Sequence, residues 1–258
     1  MQKRLRKSGA ELGMVSVMLA AGAISVQADN QTLSVATNAD FPPYEYCEEQ
    51  EIVGIDMEIA GLIADELGRE LEICNMSFDE MLDAVLSGKT DIAMGRIVEP
   101  QEESEELLFS NGYLEITYAV LVPEESLIET KEDLDGKTTG TVDQMNGKTL
   151  AEELSGNDAV VYEKEETALE DLRKGTLDAL ILDEKSAQYF CNQMENLRIA
   201  DHISDQQKFV IVARAEQEEM LTEINDALAT MEETGEMDKI VEKYLGEEKH
   251  DEETEAES

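Results

Sequence analysis

Ser34-Val35-Ala36-Thr37-Asn38-Ala39-Asp40-Phe41-Pro42-Pro43-Tyr44-Glu45 opens the stretch that decides the fold, and the stretch runs on through Val53-Gly54-Ile55-Asp56-Met57 to Gly68. Leu33–Ala36 is a short apolar run of strand length. A turn carrying two aromatics and two prolines comes after it. A hairpin-like excursion follows, and then Met57–Leu67 repeats apolar residues at helical spacing. Phe41, Tyr44 and Glu45 therefore fall just beyond the C-terminal end of a buried strand. In open α/β sheets that is where ligands bind.

Outward from this stretch, short strands alternate with helices. The pattern predicts a strand at Leu71–Asn75, a helix at Phe78–Ser87 and a strand at Asp91–Met94. A second series holds strands at Thr138–Val142, Ala159–Tyr162 and Ala179–Leu182, with helices at Lys148–Leu154 and Glu166–Arg173. Lys208–Arg214 reads as another strand. Met220–Leu245 reads as a long amphipathic helical region broken near Gly235. Strands separated by about ten helical residues imply βαβ units and parallel sheets. The halves echo each other: Leu82 to Asp91 and Leu169 to Asp178 are each a helix closed by Gly and followed by a strand opened by Asp. Two lobes built alike, with a cleft between them, are the expectation.

Composition excludes several classes. The chain has 258 residues, 20 basic against 61 acidic, for a formal net charge of −41. Nucleic acid is not an expected partner, since phosphate binding needs basic surface. Lys3, Arg4, Arg6 and Lys7 precede the apolar stretch Gly13–Val26, and Val26-Gln27-Ala28 fits a small-residue cleavage site. Residues 1–28 are expected to be a signal peptide, with an uncleaved anchor as the other reading. No cysteine lies there to carry a lipid. The tail 247–258 is polar and acidic and is expected to be disordered. Cys47, Cys74 and Cys191 form no metal motif; a disulfide between Cys47 and Cys74 is the pair to test. No G-x-S-x-G, H-E-x-x-H or Walker loop occurs, so neither catalysis, metal nor cofactor is expected.

The opening stretch resembles the extracytoplasmic solute-binding proteins that feed polar amino acids to ABC importers. Members read T-x-x-x-F-P-P-F-E, then V-G-F-D-x-D-L-A. Here stand Thr37, Phe41, Pro42, Pro43, Tyr44, Glu45 and then Val53, Gly54, Ile55, Asp56, Met57, Glu58, Ile59, Ala60. The resemblance extends from about Leu33 to Leu245. It implies an α/β, two-lobed, type II periplasmic-binding-protein fold, each lobe a mostly parallel sheet flanked by helices. Lobe one is expected at 31–115 plus 214–246 and lobe two at 119–208, with crossings near Tyr118–Pro123 and Lys208–Arg214. It also implies an extracytoplasmic monomer that closes by hinge motion on a small polar ligand and docks on a membrane permease.

By resemblance, Phe41 and Phe78 sandwich the ligand's side chain, with Asn38 and Glu45 beside them. Aromatic faces offer apolar contact and cation–π attraction. Either phenylalanine is otherwise a core residue. Asp183, directly after an apolar strand, is expected to hold an α-ammonium; a plain helix N-cap is the other reading. The turn Gln144-Met145-Asn146-Gly147 stands where the family has G-T-T. Its backbone N–H groups can still face a carboxylate, and Asn146 can replace one lost hydroxyl.

One departure is large. The family's D-x-x-x-x-G-M-T-I-T-x-x-R ends in an arginine that forks onto the ligand carboxylate. Here Gly95-Arg96-Ile97-Val98 leads to Glu102 or Glu103 at that position, and a carboxylate repels a carboxylate. Arg96 is then a candidate relocated anion clamp, unless it pairs with Glu99, Glu102 or Glu103. A ligand without a free α-carboxylate, such as an amine, also fits. The alternative function is a dehydratase-like enzyme on the same scaffold, with Glu45, Glu102 or Glu103 as general acid.

Overall fold

The computed structural model describes residues 31–98, 104–142 and 146–246, without the side chains of Asp205 and Gln206. The expected signal peptide, the acidic tail, Glu99–Glu103 and Asp143–Met145 lie outside the described residues.

The first strand, β1 (Thr32–Thr37), shows the physical plan. Its alternate side chains point to opposite faces. Leu33 and Val35 enter one apolar cluster and Ala36 another. A small antiparallel sheet follows, β2 (Asp40–Phe41), β3 (Glu45–Glu48) and β4 (Glu51–Val53). It is the hairpin-like excursion of the sequence. Helix α1 (Ile55–Glu66) buries Ile55, Ile59 and Ile63 against β1 and carries Asp56 and Glu58 in its first turn, where the helix dipole favours acids. Next come β5 (Glu70–Asn75), α2 (Phe78–Leu86), β6 (Ile92–Ala93) and β7 (Leu107–Phe109). A Ser77–Glu80 capping box starts α2.

The second half contains β8 (Leu114–Pro123), β9 (Thr139–Thr141), α3 (Asn146–Ser155), β10 (Val160–Val161), α4 (Glu165–Lys174), β11 (Ala179–Asp183), α5 (Glu184–Gln193) and β12 (Leu197–Phe209). The chain closes with β13 (Val212–Arg214), α6 (Glu218–Thr234) and α7 (Glu236–Leu245), the last two meeting at Gly235.

Two five-stranded sheets result, ordered β5-β1-β6-β13-β7 and β10-β9-β11-β8-β12. Each is mixed: three parallel strands on one side and an antiparallel pair on the other. Both faces are covered. In the first sheet, Ile59, Ile63 and Ile224 lie on one side and Met81 and Val85 on the other. In the second, Leu121, Leu180 and Leu182 pack with Leu169, Leu172 and Phe190. Fully burying one such side chain contributes about 1.5–3 kcal/mol.

The chain passes between the sheets at residues 110–113 and 210–211, so Tyr118–Pro123 lies inside β8 rather than at a crossing. The crossings run side by side. Ser110 N donates to Ile211 O at 2.9 Å, Ile211 N donates to Ser110 Oγ at 2.8 Å, and Tyr113 N donates to Phe209 O at 2.9 Å. Helix α7 ties back to the start of α1: Tyr244 Oη donates to Glu58 Oε1 at 2.7 Å, Gly54 N donates to Tyr244 Oη, and Lys243 pairs with Glu58.

The three cysteines are free thiols, which corrects the Cys47–Cys74 expectation. Cys47 is exposed on β3, the middle strand of the small sheet, and Cys74 lies on β5 of the first five-stranded sheet.

Candidate functional site

Phe41 and Tyr44 occupy the turn after β1 because the prolines between them keep that segment out of the large sheet. Arg96 follows β6 and reaches the same place from the neighbouring strand. Its φ of 54° is left-handed for a non-glycine residue, a conformation that costs about 1–2 kcal/mol. The guanidinium carbon lies 4.5 Å from the Phe41 ring centroid and 5.9 Å from that of Tyr44. Gly95 abuts Thr37 and Glu45 beneath it.

The other wall comes from the second sheet. Arg96 Nη1 is 3.8 Å from Glu165 Oε1, at the first turn of α4, and the two side chains are 15% and 2% exposed. Asp183 ends β11 and caps α5: its Oδ1 accepts from Ser186 N at 3.0 Å and from Tyr44 Oη at 2.7 Å. Its Oδ2 is buried with no hydrogen-bond partner among the described residues. Ser186 Oγ donates to Pro42 O at 3.2 Å, and Lys164 faces Asp40 at 3.8 Å. Polar contacts thus join the two sides along the cleft.

Below lies a buried acidic pair. Tyr113 Oη donates to Asp56 Oδ2 at 2.8 Å, and the Asp56 and Glu45 carboxyls are hydrogen-bonded to each other. Each otherwise has one oxygen without a donor. A single shared proton satisfies both. Burial, then the Asp56 charge, raises Glu45 well above the carboxylate range; burial raises Asp56 to about 6 against the Tyr113 hydrogen bond. Glu165 is pushed up to about 8, chiefly by burial, with the Arg96 cation opposing. Burial works against the Arg96 charge, but Asp183 and Glu165 outweigh it and hold the guanidinium protonated.

Of the residues singled out from sequence, Phe41, Gly95, Arg96 and Asp183 therefore gather around one cleft. Phe78 stands 46% exposed on α2 and, among the described residues, stacks on no other ring. Asn38 is half-buried in the turn, where its carbonyl accepts from Asp40 N. Asn146 begins α3 and donates to Gln207 Oε1 at 2.8 Å. It lines a separate groove of about 260 Å³ with Leu150 and Ile203. The acids expected to pair with Arg96 lie outside the described residues; the partner seen is Glu165. Glu165 and Ser186 also line this cleft and are absent from the sequence reading, which placed Tyr44 beyond the strand end without giving its hydroxyl a role. For Ser186 a signal existed, three residues past an N-cap Asp. Glu165 sits in Glu163-Lys164-Glu165-Glu166, where nothing local sets it apart.

A family model matches residues 33–247, which contain every element after the start of β1. The chain belongs to the bacterial extracellular solute-binding proteins, family 3. Its relatives in that family bind amino acids. It is 26% identical over 230 residues to the arginine-binding extracellular protein ArtP of Bacillus subtilis, covering 86% of this chain and 89% of the relative. It is 26% identical over 251 residues to the L-cystine-binding protein TcyJ of Escherichia coli, covering 91% and 94%. The amino acid ABC transporter substrate-binding protein AbpA of Streptococcus pneumoniae, solved bound to L-arginine, superposes with a TM-score of 0.72 at 32% identity, covering 83% of this chain and 94% of that one. These are binding proteins, not enzymes, which sets aside the dehydratase alternative.

The acidic site gives this family-3 protein a pH signature. The folded Glu165 keeps its proton up to about pH 8, whereas an unfolded glutamate releases it near 4.5. Its contribution is fully present below pH 4.5 and is lost as pH rises through 8, on the order of 3–5 kcal/mol. Thermal unfolding from pH 5 to 8 is expected to show falling stability, with a flatter profile in Glu165→Gln. An equal slope in both proteins refutes the assignment.

Proposed function

We propose that this protein captures a cationic amino acid, or a related amine or guanidine, between its lobes outside the cytoplasm. It then delivers that solute, as a monomer released from residues 1–28, to the permease of an ABC importer. The observation that carries this reading is that a guanidinium is already accommodated between the Phe41 face and the buried Glu165, beside the unpartnered Asp183 Oδ2. Phe41 and Tyr44 supply cation–π surface, and Glu165 and Asp183 supply carboxyl oxygens at low exposure. The arginine named for ArtP and AbpA is consistent with such a wall.

The direct test is a thermal-shift and calorimetry panel of L-arginine, L-lysine, L-glutamine, agmatine and putrescine. A solute at 100 times its Kd adds about 2.7 kcal/mol, a rise of roughly 5–10 °C for a chain of this size. L-arginine or L-lysine is expected to give that rise; no shift with any cationic compound sinks the reading. A second reading, an amine without a carboxylate, is favoured by Arg96, whose guanidinium faces Glu165 rather than an anion site. It holds if agmatine binds at least as tightly as L-arginine.

A further inference from the structure

Three arginines in this fold can be compared. Arg198 donates through Nη2 to Ser126 O at 3.0 Å, Ile128 O at 2.8 Å and Glu129 Oε1 at 3.1 Å. Arg214 donates through Nη1 to Val85 O at 2.8 Å and Thr90 O at 3.0 Å. Both are structural ties of ordinary geometry. Arg96 is different. Its Nε and Nη1 are buried with no hydrogen-bond partner among the described residues, and its approach to Glu165 is a long 3.8 Å. A well-made arginine–carboxylate pair is bidentate and nearly 1 Å shorter. The backbone beneath it is left-handed. Arg96 is thus buried, charged, strained and poorly bonded at once, which is a poor design for a structural tie.

Its position accounts for these features. Arg96 leaves the first sheet directly after β6, and Glu165 opens α4 in the second. The contact therefore spans the cleft. The guanidinium lies over Phe41 within cation–π range, among carboxyl groups from both sides. This is the position that the cation of a solute would take under the reading above.

We propose that the Arg96 guanidinium is a tethered occupant of the cation subsite, holding the lobes together through Glu165 until a cationic solute displaces it. The inference rests on the cation-binding reading. A solute cation forms shorter bonds to Glu165 and Asp183 than Arg96 does, and its entry turns the Arg96 side chain out of the subsite. The side chain is a competitor built into the chain, so the apparent affinity is the intrinsic one reduced by the fraction of molecules with Arg96 out.

The test uses Arg96→Ala and Arg96→Gln, each checked for fold by circular dichroism, with L-arginine and methylguanidinium as calorimetric probes. Small-angle scattering follows the separation of the lobes. Vacating the subsite is expected to tighten L-arginine binding at least about tenfold. Methylguanidinium at millimolar concentration is expected to bind the variants and not the parent. The solute-free variants are expected to be more extended than the parent and to contract on adding methylguanidinium. Arg96→Gln keeps most of the side-chain volume without charge and serves where the alanine variant does not fold.

Equal L-arginine affinity in parent and variants leaves the cation reading standing and overturns tethered occupancy. Weaker binding in the variants, with no response to methylguanidinium, makes Arg96 an anion clamp and also overturns it. Methylguanidinium binding confined to the variants sustains displacement even where L-arginine does not bind. Neither probe binding to any of the proteins removes the cation subsite itself, and the inference with it.

Discussion

Asp183→Asn is expected to weaken binding of the cationic solute by at least about thirtyfold while leaving the fold nearly intact. The two effects separate because Asp183 uses its oxygens differently. Oδ1 takes both structural bonds, from Ser186 N and Tyr44 Oη. An asparagine oxygen accepts the same pair and caps a helix as well as aspartate does. Oδ2 is the buried atom without a partner. Turning it into an amide nitrogen replaces an acceptor for the solute ammonium with a donor that repels it. Losing one side of a buried, hydrogen-bonded charge pair costs about 2–5 kcal/mol of affinity. Stability in urea is expected to move by no more than about 1 kcal/mol. Asp183→Ala is expected to lose the cap and strand the Tyr44 hydroxyl, adding about 1–3 kcal/mol of destabilisation. Calorimetry beside urea unfolding reads both quantities, and undiminished affinity in Asp183→Asn refutes the assignment.

Gly54→Ala is expected to be the most destabilising single methyl in the fold, at more than about 4 kcal/mol. Its φ is 135°, and a Cβ there meets the Tyr44 carbonyl oxygen at 2.0 Å and its carbon at 2.4 Å. The obstruction is backbone, which cannot rotate away. The displaced segment, Tyr44–Glu45, carries the hydroxyl that meets Asp183 and the carboxyl that meets Asp56. Ligand binding is therefore expected to fail even in whatever fraction folds. Gly61→Ala is the matched control: Gly61 lies in α1, and a Cβ there meets nothing within 4 Å. It is expected to stabilise by about 0.5–1 kcal/mol. Urea midpoints of the two variants in parallel decide the matter; similar midpoints contradict the steric argument.

What could be read in advance follows from how local each signal is. Phe41 and Asp183 were legible because one falls in the turn beyond an apolar strand and the other at the end of one, and strand ends in α/β sheets face the cleft. The Gly54–Asp56 pair was legible as part of a motif. The short strands β2 and β7 were not: two or three residues carry no periodicity, and neither follows a helix as the equally short β6 and β10 do. Helix α5 was obscured by its polar run Glu184-Lys185-Ser186, although its buried Ala187 and Phe190 keep helical spacing. Glu165 was invisible for a different reason. It is one of 61 acidic residues, and only the folded chain takes it out of water and sets it opposite Arg96. The partner of Arg96 was likewise tertiary: the sequence left open an anion clamp or a pairing with Glu99, Glu102 or Glu103, whereas the acid it faces across the cleft is Glu165.

The paired crossings at 110–113 and 210–211 carry a mechanical consequence. Two connections bonded to each other at Ser110–Ile211 and Tyr113–Phe209 are expected to turn together in any swing of the lobes. The hydrogen bonds from Tyr44 to Asp183 and from Ser186 to Pro42, and the longer contact of Arg96 with Glu165, all join the same two walls of the cleft. They are expected to be made or broken together, so closure on a small solute is expected to have two settings rather than to tighten by degrees.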